Sequence, residues 1–79
     1  MKSVTTVMVK LDTIDKVKNL VGILSPIDGD FDLVSDRYVV DAKSIMGIFS
    51  LDISKPLELH IHNGDAVEKV MALIEPYKA

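Results

Sequence analysis

The sequence predicts an α+β fold, an open-faced two-layer β-sandwich in the order βαββαβα, with a four-stranded antiparallel sheet and three helices on one face. Three observations carry this. Strand-like stretches rich in β-branched residues lie near both ends of the chain with helical stretches interleaved. Leu57, Leu59 and Ile61 alternate with Glu58, His60 and His62, the pattern of a strand buried on one face and wet on the other. The 79 residues suffice for one compact core and not two, so a single domain over 1–79 is expected.

The elements follow in order. Ser3, Thr5, Val7, Val9 and Leu11, interleaved with Val4, Thr6 and Met8, give a first strand ending near Asp12, with its facing left open. Ile14, Val17, Val21 and Leu24, with Leu20 beside them, recur at the spacing of one helical face; Asp12 or Thr13 can cap the first turn and Pro26 ends it. Asp28-Gly29 is a turn. Phe31 and Leu33 then alternate with Asp30 and Asp32, and Ser35-Asp36-Arg37 leads back through Tyr38-Val39-Val40 as a hairpin. Ser44 precedes Ile45, Met46, Gly47, Ile48, Phe49 and Leu51, one or two helical turns opened by a capping serine. After the fourth strand, Asn63-Gly64 turns the chain. Asp65 with Glu68 fits a reciprocal cap, and Val67, Val70, Met71 and Ile74 form the stripe of a last helix that stops before Pro76.

Composition excludes several function classes. There is no cysteine, so neither disulfides nor thiolate–zinc sites are available. Nine dispersed basic residues are outnumbered by twelve acids, which gives no electrostatic footprint for nucleic acid. No apolar run reaches the length of a bilayer span, and Lys2 stands alone near the N-terminus, so a cytoplasmic protein is expected. There is no phosphate-binding loop and no dinucleotide fingerprint, and no cofactor is called for. His60 and His62 share a strand face, but two ligands do not make a metal site. Asp28, Asp30 and Asp32 lack the glycine and closing glutamate of a calcium loop and read as a solvated acidic face.

The string Lys43-Ser44-Ile45-Met46-Gly47, followed by Ile48-Phe49-Ser50-Leu51, resembles the segment around the regulatory serine of HPr, the histidine-containing phosphocarrier of the bacterial sugar phosphotransferase system. The upstream hairpin and the downstream strand, Asn-Gly turn and helix match the same layout. The resemblance implies an HPr-like fold and a relation to sugar transport. It also implies that Ser44 is a candidate for regulatory phosphorylation, and that Ile45, Met46 and Phe49 form an apolar patch that docks a protein partner, a regulator or a phosphotransferase-system component.

Members of that family open their first helix with H-A-R-P, whose histidine carries the phosphoryl group. Aligned from Ser44 without gaps, those positions are Thr13, Ile14, Asp15 and Lys16. A phosphohistidine needs an imidazole nucleophile and a cation to steady the phosphoryl group. Thr13 is a weak nucleophile without an adjacent base, and Asp15 sets a negative charge where attraction is needed. The resulting expectation is a non-enzymatic HPr-like module whose phosphohistidine site is degenerate. Its rivals are a carrier using Thr13 as acceptor and an interaction protein unconnected with sugar transport. Related HPr-like proteins of catabolite repression also lack the histidine, keep the serine and bind a transcription regulator.

The residues alone leave alternatives open. By composition Ser44 reads first as a helix cap, the phosphosite being what the resemblance adds, and a cap and a phosphosite are compatible. Ile45, Met46, Ile48, Phe49 and Leu51 are either all core or divided, with Ile48 and Leu51 inward and the other three outward.

Overall fold

A computed structural model describes residues 4–79. Lys2 and Ser3, which enter the reading of the N-terminus and first strand, lie outside the described residues. The strands are β1 (Thr5–Val9), β2 (Phe31–Ser35), β3 (Tyr38–Asp41) and β4 (Leu57–Ile61), and the helices α1 (Ile14–Leu24), α2 (Ile45–Phe49) and α3 (Val67–Leu73). Short 3-10 turns at Gly64–Ala66 and Glu75–Tyr77 flank α3. The sheet is antiparallel with strand order β1-β4-β2-β3, so the first and last strands of the chain pair and the hairpin lies outside them.

Register decides which residues meet. Leu33 is opposite Leu59 and Phe31 opposite Ile61, and Leu59 faces Val7 across the other ladder. Directly paired residues share a face, so these form the apolar inner layer. Val17, Leu20 and Leu24 of α1, Ile48 of α2, and Val70 and Ile74 in and after α3 close over it, all fully buried. The outer face carries Thr6, Met8, Asp32, Val34, Val39, Asp41, Glu58 and His60. No polar residue is buried among the described residues, which is why one face of the sheet can remain wet.

Several details depart from the sequence reading. The first strand stops at Val9; Leu11, although fully buried, belongs to the connection into α1. Ile14 is 58% exposed and not part of the inward stripe, because the first helical position precedes the turn that meets the sheet. The reciprocal cap between Asp65 and Glu68 does not form. Asn63 is the capping residue instead, its Oδ1 accepting from the Asp65 N–H at 3.1 Å, so that a 3-10 turn precedes α3. The Asn63 Nδ2 also donates to the Asp28 carbonyl at 2.8 Å, tying this turn to the one before β2.

Gly29 sits inside that tie. Its φ is +118°, and a Cβ there would lie 2.6 Å from the Asn63 Cβ, so both backbone and space demand glycine.

Candidate functional site

Two helix N-termini hold the candidate residues, and each is built by a hydroxyl cap. Thr13, extended at φ −131°, accepts the Lys16 N–H on its Oγ1 at 3.2 Å. Ser44, extended at φ −106°, accepts the Gly47 N–H on its Oγ at 3.1 Å. Each satisfies an amide that the helix geometry leaves without a carbonyl.

Around Thr13 the charges are acidic. Asp12, Thr13, Ile14 and Asp15 are all exposed, and Asp15 lies in the first turn of α1. Lys16 brings the one cation of this cluster, but its Nζ donates to Asp12 at 2.8 Å. The hydrogen bond from Lys16 holds the Asp12 carboxyl below the usual carboxylate range. Neither histidine is at this end: both belong to β4 and the residue after it. His60 Nε2 lies 3.5 Å from Glu58, and His62 Nε2 lies 2.7 Å from Asp32, so each is partnered by a carboxylate on the sheet. Among the described residues no group of three or more histidine, aspartate or glutamate side chains is placed to hold a metal ion.

Around Ser44 the surface is apolar. Ile48 is fully buried and Leu51 nearly so, whereas Met46 is 81% exposed, Phe49 38% exposed and Ile45 half-buried. A five-residue helix has only one inward stripe, and Ile48 with Leu51 fills it. Met46, Phe49 and part of Ile45 are left at the surface.

Lys43 precedes Ser44 in sequence, but its side chain is engaged elsewhere. Its Nζ donates to the Ile27 carbonyl at 2.7 Å and stands 5.3 Å over the centre of the Phe31 ring, whereas the Ser44 hydroxyl is bonded by the Gly47 N–H. The contact with Ile27 binds the loop after α1 to the start of α2, a role with no sequence signal because it spans sixteen positions.

Gly47 is placed closely. A Cβ there would lie 3.2 Å from the Ser44 Oγ and 3.4 Å from the Val40 Cβ. An open depression lined by Asp30, Asp32, Asp41, Lys43, His62 and Asp65, among others, involves no residue of α1 and reaches α2 only at Lys43, the residue before its cap. Ile14, exposed between Thr13 and Asp15, is the surface residue that periodicity missed. Its proximity to a cap is the signal that could have found it, since a residue at the first helical position need not face inward.

No family model matches the chain, and no curated protein matches it. Among solved structures it is similar to HPr-C-His from Thermoanaerobacter tengcongensis, with a TM-score of 0.75 and 28% sequence identity, covering 95% of this chain and 90% of that one. With strand order β1-β4-β2-β3 and three helices, the chain has the HPr-like α+β fold, and its similarity to that HPr extends over nearly its whole length.

Proposed function

We propose that this chain is a non-enzymatic HPr-like binding module of the cytoplasm, acting through Ile45, Met46 and Phe49 on a protein partner, with Ser44 as its point of control. The partner is a transcription regulator or a component of the phosphotransferase system. The observation that supports this most directly is the exposure of Met46, at 81%, on a helix that buries Ile48 completely. Keeping a large apolar side chain in water has a cost that a docking surface recovers on binding.

The phosphorelay is not part of this reading. Thr13 is occupied as a cap, Asp15 opposes an anionic phosphoryl group, and Lys16 is paired with Asp12. Ser44 remains modifiable because a phosphate on its oxygen still presents acceptors to the Gly47 amide. With Lys43 held by Ile27, that charge would stand unneutralised beside Met46 and deter a partner that expects an apolar surface.

The test is capture from the native cytoplasm with immobilised wild type, Met46→Glu, and wild type pretreated with a bacterial HPr serine kinase and ATP. A protein retained by wild type and lost with both others supports the reading. Capture that survives Met46→Glu rejects the patch, and wild type left without phosphate rejects the control.

A further inference from the structure

The two edges of the sheet are treated differently. Along β1 the C-terminal segment covers the free side: Val9 bridges to Lys78, the Lys10 N–H donates to the Tyr77 carbonyl at 2.7 Å, and the Ala79 N–H donates to the Met8 carbonyl at 3.0 Å. The other edge, β3, has no strand or segment beside it among the described residues. It presents Tyr38 at 66% and Val39 at 62% exposure, next to Arg37, the sequence's one arginine, which makes no ion pair among the described residues. An edge with unpaired backbone groups and apolar side chains is a template for another strand.

We infer that β3 pairs antiparallel with β3 of a second copy of this chain, centred on Val39, making one continuous eight-stranded sheet from two four-stranded ones. Two independent features fix that register. The first is hydrogen-bond phase. The Ala42 N–H donates inward to the Phe31 carbonyl at 2.8 Å, and in an antiparallel ladder the direction alternates, so Val40 and Tyr38 also face β2 while the Val39 N–H and carbonyl and the Asp41 N–H face the free edge; the Asp41 carbonyl accepts the Ser44 N–H at 3.0 Å. A pairing of Val39 with Val39 therefore exchanges two N–H···O=C bonds at the two-fold axis. The Asp41 N–H adds one on each side, to the Arg37 carbonyl of the other copy.

The second feature is charge. In the sequence Arg37-Tyr38-Val39-Val40-Asp41, an antiparallel pairing about Val39 sets each Arg37 against Asp41 of the other copy and each Tyr38 against Val40. Opposite charges fall at both ends and apolar residues fall between them, which is self-complementary as a two-fold contact requires. Asp41 already accepts the Lys43 N–H on Oδ1 at 2.8 Å, leaving its second oxygen for the guanidinium. The strand itself is only four residues long, so the association is weak and depends on concentration.

The experiment is sedimentation velocity with the full chain from micromolar to millimolar concentration, with amide hydrogen exchange at Val39 and Asp41. Wild type is expected to self-associate and to protect those two amides as concentration rises. Arg37→Glu and Asp41→Lys should each remain monomeric, because each sets like charges together. Mixed in equal amounts, the two variants should associate again, since both ion pairs are then restored with reversed sign on one side. This rescue needs only that each variant is folded, which circular dichroism checks; should Asp41→Lys unfold, Val39→Lys, expected to abolish association, takes its place. A wild type monomeric at millimolar concentration, association unaffected by Arg37→Glu or Val39→Lys, or two folded variants that fail to rescue each other would each overturn the inference.

Discussion

The N-termini of α1 and α2 are built alike and surrounded differently. Each is opened by a β-hydroxyl residue in extended conformation whose oxygen accepts the amide three positions on. At α1 the neighbours are Asp12, Asp15 and a paired Lys16; at α2 they are Met46, Phe49 and a lysine drawn away to Ile27. The lesson is that the cap decides where a helix starts, and the side chains beside it decide what the start can do. An acidic rim opposes an incoming anion, whereas an apolar rim suits a protein surface.

The largest effect that would break this comparison is conversion of one terminus to relay chemistry. Wild type mixed with Enzyme I, magnesium and phosphoenolpyruvate should take up no acid-labile phosphate. Thr13→His should remain poor because Asp15 still faces the phosphoryl group, and Thr13→His with Asp15→Arg should do better; mass spectrometry of the intact chain reads all three. Phosphate on wild-type Thr13 would make the two termini functionally equivalent.

Next is the division within α2. Ile48→Ala removes a fully buried side chain and should lower stability by about 2–5 kcal/mol. Met46→Glu should leave the melting temperature nearly unchanged while abolishing partner capture. Phe49→Glu should fall between, since that ring is only 38% exposed. Thermal unfolding orders the three, and a Met46 variant less stable than the Ile48 variant would invert the faces.

How much of this was legible in the sequence follows from the range of the interactions. The βαββαβα order, the span of α1 and the Ser44 cap depend on periodicity and on neighbours a few positions apart, and these were readable. So was the inward placement of Ile48 and Leu51, because a single short stripe leaves few choices. The tie from Asn63 to Asp28 and the bond from Lys43 to Ile27 were not, since each joins distant segments through a backbone carbonyl that any residue could supply. Asp65 and Glu68 had the spacing of a reciprocal cap, yet Asn63 was already committed to that turn and its amide oxygen took the first free N–H. The roles proposed for Ser44 and for the patch rest on resemblance, since an exposed methionine does not by itself name what covers it.

The caps themselves give a smaller effect. Thr13→Ala and Ser44→Ala should each cost about 1 kcal/mol, measured by urea denaturation. Gly47→Ala sharpens the comparison. It gains helix propensity but presses a Cβ to 3.2 Å from the Ser44 oxygen, so its effect should shrink or change sign when combined with Ser44→Ala, whereas Gly22→Ala in α1, with open space around it, should simply stabilise.

The smallest effect distinguishes the charges at the α1 terminus. Lys16 lowers the Asp12 carboxyl chiefly through their hydrogen bond, so folding favours the ionised form. A group whose folded value is depressed contributes stability that is present above its unfolded value and lost as pH falls through the folded one, below the usual carboxylate range. Both side chains are more than a third exposed, so the contribution is slight and screened by salt. Lys16→Met should raise the Asp12 titration midpoint, followed by NMR of its carboxyl carbon, and should slightly lower stability near neutral pH without changing it under strongly acidic conditions. In the Thr13→His, Asp15→Arg background the same change leaves the Asp12 carboxylate unpaired beside the acceptor, so it should also weaken any phosphate uptake there. An Asp12 midpoint that stays put would mean that Lys16 is not paired in solution, and that a cation is free at the terminus read here as having none to offer.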